Sequence, residues 1–149
     1  MNIDFYHILL LFHLGAMCTA VCLVFLADKD AFKWVLGKKQ TLDAGSIKRL
    51  HAFTWIALIA LIGSGTLLLL QNNLFLLKEP LFIIKLLFVG MLVVNGVLIG
   101  RLIPLALTRP FASLTFKEKL PLLMSGALSG VSWLSILAIA YALFWPWIR

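Results

Sequence analysis

The stretch Pro80–Arg101, PLFIIKLLFVGMLVVNGVLIGR, constrains this chain more than any other. A helix needs about 20 mainly apolar residues to cross a hydrocarbon layer, and this run has that length. It also holds Lys85 and Asn95, and ionisable or polar groups within a span are costly unless they face protein. The two residues therefore orient the helix. Ten residues at about 100° each leave them about 80° apart around the axis. Both can then face a bundle interior, with Phe82, Leu86, Val93 and Leu98 sharing the remaining surface.

Three further apolar runs accompany it, and composition agrees. Hydrophobic residues make up 62% of the 149 and charged ones 13%, with a mean hydropathy of +1.05. Soluble domains are nearer half apolar and a quarter charged. The reading is an all-α, polytopic membrane protein: a single four-transmembrane-helix bundle with spans at about 5–27, 50–70, 81–103 and 120–144. No length remains for a separate soluble domain. Nothing ahead of Phe5 resembles the basic leader of a cleaved signal, so the first span is expected to stay as an anchor.

The net charge of +7 does not point to nucleic acid, because the basic residues lie between apolar runs and not along a stripe interleaved with aromatics. Lys29, Lys33, Lys38, Lys39, Lys48 and Arg49 fall between the first two spans, and Arg101, Arg109, Lys117 and Lys119 between the last two. Only Lys78, Lys85 and Arg149 fall on the other side. The positive-inside rule makes both basic loops cytoplasmic and both termini extracytoplasmic, in a multi-pass protein of the cell inner (plasma) membrane.

Local signals set the helix ends. The first helix is expected to run past the membrane through Lys33 and Trp34 and to stop near Gly37. Asp43 can cap the second helix, whose apolar body ends before Gln71, Asn72 and Asn73. Pro80 suits a first helical position, and the third helix should run until Pro104 or soon after, where the missing backbone donor kinks or ends it. Thr115 and Glu118 have capping-box spacing, Pro121 should bend the early turns of the fourth span, and Trp145, Pro146 and Trp147 close it at the interface.

Small residues mark expected contact faces: Gly63, Ser64 and Gly65; Gly96 and Gly100; Gly126 and Gly130. Ser125, Ser129 and Ser132 form a line at i, i+4 and i+7. It reads as tight packing with hydroxyls bonded to the i−4 carbonyl, or as a groove around a flat ligand.

Depth decides which polar groups can meet. His7 and Lys85 lie a few residues from the outer helix ends, His13 about 10 Å deeper, and Met91 at about the level of His13. These four are the candidate cofactor-binding residues of an outer-leaflet site, with His13 the candidate metal ligand. His51 begins the second span at the other side, about 20 Å or more from His13, so the two cannot share one metal or haem iron. His7 and His13 point about 120° apart. His13 can ligate haem or metal, bond a neighbouring helix, or move a proton. Lys85 can turn its ammonium outward or pair with an anion or propionate. Asn95 suits interhelical bonding. Met17, Cys18 and Cys22 add soft donors that suit Cu(I), but Cys18 is about 140° from His13, and a disulfide between cysteines four apart on a helix is disfavoured by orientation. No nucleophile stands beside a base, and no nucleotide loop, zinc signature or carboxylate pair occurs.

The ordered fragments FHLGA, SGTLLLL, FIIKLL, VNGVL, GRLIP and SGVSW resemble a group of small bacterial four-helix membrane proteins over most of the chain. More distantly they resemble HemJ-type protoporphyrinogen oxidases and the membrane part of copper-resistance D proteins. The HemJ resemblance implies haem or porphyrin chemistry at a first-span histidine and a third-span lysine in a KL motif. The matches here are His13, or less closely His7, and Lys85 in Lys85-Leu86-Leu87. Two departures stand out: HemJ-type proteins carry a histidine near the place of Asn95, and an Asn-Glu-x-Pro motif where this chain has Lys117-Glu118-Lys119-Leu120-Pro121.

The expected function is a haem-associated redox or electron-transfer protein of the membrane, an oxidoreductase if it is an enzyme. Haem b would be its cofactor, and a membrane redox protein or quinone its partner. The alternatives are a copper or other cation permease and a non-catalytic membrane assembly subunit. The lipid bilayer is the expected surrounding partner, and a glycine face offers a route to a homodimer.

Overall fold

The computed structural model describes residues 3–144, with side chains for 5–143; the readings that place Trp145, Pro146, Trp147 and Arg149 lie outside the described residues. The described chain is all-helical. Four helices, α1 (Ile3–Val35), α2 (Ala44–Gln71), α3 (Pro80–Thr108) and α4 (Phe116–Phe144), are joined by turns with short 3₁₀ segments at Phe75–Lys78 and Phe111–Ser113. All four are long and apolar enough to span a membrane. Leu11 and Val94 are each 69% exposed, with many other large apolar side chains exposed beside them. In water so much apolar surface would drive association; in a bilayer it is the surface that meets acyl chains.

Each helix end follows its local sequence. Gly37 takes a left-handed φ of +72. Its N–H donates to Trp34 O at 3.0 Å and that of Lys38 to Lys33 O at 2.8 Å, the Schellman pattern that ends a helix at glycine. The Asp43 carboxylate caps α2 by accepting from Ser46 N at 2.6 Å. Asn73 and Leu74 are left-handed at the other end of α2, and their N–H groups satisfy Leu70 O and Leu69 O. Pro80 begins α3 as expected. Pro104 does not end it: the helix continues to Thr108, and the Thr108 hydroxyl donates to Pro104 O at 3.0 Å. The Thr115/Glu118 box is half realised. Glu118 accepts from both Thr115 N and Thr115 Oγ at 2.9 Å, so the hydroxyl donates to the carboxylate and does not cap a backbone N–H.

The chain falls into two compact units: one holds the residues up to Asp30 with Asp43–Leu76, the other Ala31–Leu42 with the chain from Leu77 onward. In the first, α1 and α2 are joined at His13 and Ser64. Four residues outward on each antiparallel helix lie buried Leu9 and Leu68, and seven residues the other way lie buried Ala20 and Ala57. Periodicity puts Leu9, His13 and Ala20 on one face of α1.

In the second unit α3 and α4 pack along their length. Their centre is Asn95, 1% exposed, whose Nδ2 donates to Ser125 O at 3.0 Å while Ser125 Oγ donates to Asn95 Oδ1 at 2.8 Å. Ser125 thus bonds across to α3, where the sequence suggested a bond back along its own helix. Thr19, Thr54, Ser64, Thr66 and Thr108 do bond back. Ser132 does neither; it is fully buried and its hydroxyl has no partner. Antiparallel register from the Asn95–Ser125 pair sets Ser132 level with Phe88, whose side chain offers no acceptor. Phe82, assigned by the wheel to the outer surface, is buried; its ring lies 5.9 Å from Lys85 Nζ. Within the described residues of the α3–α4 unit, a Cβ on Gly126 or Gly130 would meet nothing within 4 Å.

At the far end of α3 the segment Ala31–Leu42 closes the helix. Leu42 N donates to Ala106 O at 3.1 Å, and the Trp34 indole N–H donates to Arg109 O at 3.0 Å. Trp34 is 2% exposed, with its ring edge-on to Phe111 at 5.2 Å. Carbonyls orphaned at a helix C-terminus are thereby satisfied by a neighbouring segment.

Asn95→Ala removes both bonds of its pair and leaves a buried hydroxyl on Ser125, whereas Ser125→Ala removes one bond and keeps the Nδ2 contact. We expect reversible unfolding in detergent micelles to show a loss of about 1–3 kcal/mol for Asn95→Ala and about 1 kcal/mol or less for Ser125→Ala.

Candidate functional site

His13 carries the most organised polar contact of the described membrane helices. It faces α2, half-buried, with Nδ1 2.7 Å from Ser64 Oγ. Ser64 Oγ lies 2.6 Å from Ala60 O and 3.3 Å from Leu61 O. A carbonyl can only accept, so the single hydroxyl hydrogen of Ser64 points back along α2, and the hydrogen between Ser64 and His13 belongs to the imidazole. In the neutral ring the proton therefore sits on Nδ1, and the lone pair on Nε2. The order Nδ1–H to Ser64 Oγ–H to Ala60 O holds the ring orientation and its tautomer together.

Gly65 supplies the floor. A Cβ built on it would stand 3.2 Å from His13 Cε1, tighter than most Cβ contacts, so a side chain there would press the imidazole away by a few tenths of an ångström. Gly63, two residues earlier, would meet nothing within 4 Å. The small-residue triplet thus divides into a hydroxyl acceptor, a close-approach glycine and an open glycine.

Of the other sequence candidates, His7, His51, Cys18 and Cys22 belong to the same unit as His13, and Lys85 and Met91 to the second unit. His7 is exposed, its ring edge-on to Tyr6 at 5.9 Å. Lys85 is half-buried on α3 of the second unit, its ammonium near the Phe82 ring. This fits a side chain leaning toward the helix N-terminus. Met91 is on α3 and 39% exposed. His51 is engaged within its own helix, Nε2 accepting from Trp55 Nε1 at 3.2 Å. Cys18 and Cys22 are reduced and exposed. Among the described residues no three His, Cys, Asp or Glu side chains gather as a metal-holding group.

Ser64 and Gly65 were read from sequence as packing residues only. Their role at His13 could have been found by counting depth along both helices, since each lies a similar number of turns from the α2–α3 end.

Two substitutions separate these contributions. In ¹⁵N-histidine-labelled protein in lipid, solid-state NMR should show His13 protonated at Nδ1; Ser64→Ala should move the neutral ring toward the Nε2–H form. Gly65→Leu should disturb the same resonances by displacing the ring, while Gly63→Leu leaves them in place.

Set against protein-family models, curated proteins and solved structures, the chain matches none of them, so the likeness to porphyrinogen oxidases and copper-resistance proteins rests on the ordered sequence fragments.

Proposed function

We propose that this multi-pass membrane protein is a haem-associated redox protein in which His13 offers Nε2 to the iron. One observation carries the reading: His13 donates Nδ1–H to Ser64, whose hydroxyl is held by Ala60 O. Metal-bound histidines commonly use their second nitrogen in this way, which orients the ring and raises the basicity of the ligating nitrogen. The residue chemistry thus fits haem, which His13 would hold. Bound haem would supply one-electron exchange between ferric and ferrous iron. The chain's part is to present one nitrogen, keep the proton on the other and exclude water, with electrons passing to or from a membrane redox partner or quinone. Lys85, Met91 and His7 enter by the chemistry they offer: an ammonium for a propionate, and a thioether or imidazole for iron. Their assignment rests on sequence depth and on the family resemblance.

A second reading draws on the same bond: a histidine that joins two membrane helices and binds nothing, in a non-catalytic assembly subunit. An optical spectrum decides between them. After expression with haem supply, the detergent-purified protein should show a Soret band. His13→Ala should abolish it, and Ser64→Ala should keep it while weakening haem retention about 10- to 100-fold. Wild-type protein without a Soret band overturns the haem reading and leaves the structural one.

A further inference from the structure

The second unit ends in a layer whose charge and shape the redox reading does not use. We infer that the basic end of the α3–α4 unit is a binding surface for the phosphodiester headgroups of anionic phospholipids.

The layer is built before any ligand arrives. Trp34 locks Ala31–Leu42 against the end of α3 through Arg109 O and Phe111, and Leu42 N adds its bond to Ala106 O. Segments distant in sequence are thereby set side by side, and each is basic. Lys33 and Lys38 come from the first; Arg101, Arg109, Lys117 and Lys119 come from the second. The one acid across Ala31–Leu42 and Arg101–Lys119 is Glu118, already engaged by Thr115 and, at 3.2 Å, by Arg109. Lys119 lies over the Phe111 ring at 5.2 Å. Lys38, Arg101 and Lys117 are exposed and carry the excess positive charge outward.

Two features favour a lipid over a soluble polyanion. Counted from Pro80, about 20 residues of α3 traverse the hydrocarbon, which sets Arg101 about where that layer ends and Pro104–Thr108 among headgroups. Exposed apolar side chains alternate with the cations: Phe32 and Leu36 beside Lys33 and Lys38, and Phe116 beside Lys117. A surface that offers aromatic and aliphatic groups to acyl chains and ammonium groups to phosphates has the dual character of a membrane interface.

Native mass spectrometry of the full chain in detergent, with equimolar phosphatidylglycerol and phosphatidylcholine, tests this. The wild type should carry phosphatidylglycerol adducts in at least about tenfold excess, since each cation near the surface favours the anionic lipid severalfold. Lys38→Gln/Arg101→Gln/Lys117→Gln, all at exposed positions and checked for helicity by circular dichroism, should bring the ratio to within about twofold. Lys78→Gln, near the other end of α3, should leave it unchanged. Equal adducts of both lipids in the wild type, or an unaltered ratio in the triple variant, would overturn the inference. So would loss of phosphatidylglycerol adducts on adding millimolar inorganic phosphate, which would mark the layer as a free-anion site.

Discussion

Hydrocarbon gives a helix no hydrogen-bond partner and gives two apolar helices little reason to prefer each other over lipid. Side-by-side pairing must therefore come from close packing and from the few polar groups that only another helix can satisfy. Each unit of this protein is organised by one such contact. His13 meets Ser64 in the first, and Asn95 meets Ser125 in the second. Around the first, buried apolar residues fall at matching antiparallel positions, Leu9 with Leu68 and Ala20 with Ala57.

The two contacts differ in kind. Asn95 and Ser125 exchange a donor and an acceptor within a buried pair, which is self-contained and suits a structural role. His13 gives one nitrogen to a serine whose own hydrogen is already committed to a carbonyl. Such a chain fixes protonation as well as position, and the second nitrogen keeps its lone pair. The haem proposal is built on that chain of bonds at His13. Ser132 shows the reverse situation, a buried hydroxyl level with an aromatic residue and left without a partner.

The basic end obeys different rules, because there the backbone must stop being helical while still satisfying its carbonyls. Gly37 turns α1, and the segment after it returns to cap α3, with Trp34 as the buried anchor. Charge and exposed aromatics gather on a layer joined by the Leu42–Ala106 backbone bond and the Trp34 indole.

Much of this was legible in residue order alone. The four helices follow from apolar run length, and their ends from Gly37, Asp43, Pro80 and the Thr115/Glu118 pair, because spans and caps are decided within a few turns of chain. The exceptions are also physical. α3 ends four residues past Pro104, and Phe82 is buried beside Lys85, a placement that an ideal wheel cannot supply. Sequence likewise singled out His13 and Asn95 as polar groups that lipid would not accept, but it could not name their partners. Those were decided by tertiary structure, since a hydrogen bond between helices depends on register and rotation to within an ångström or so, and Ser64, Gly65 and Ser125 acquire their roles only when two distant turns stand at the same level.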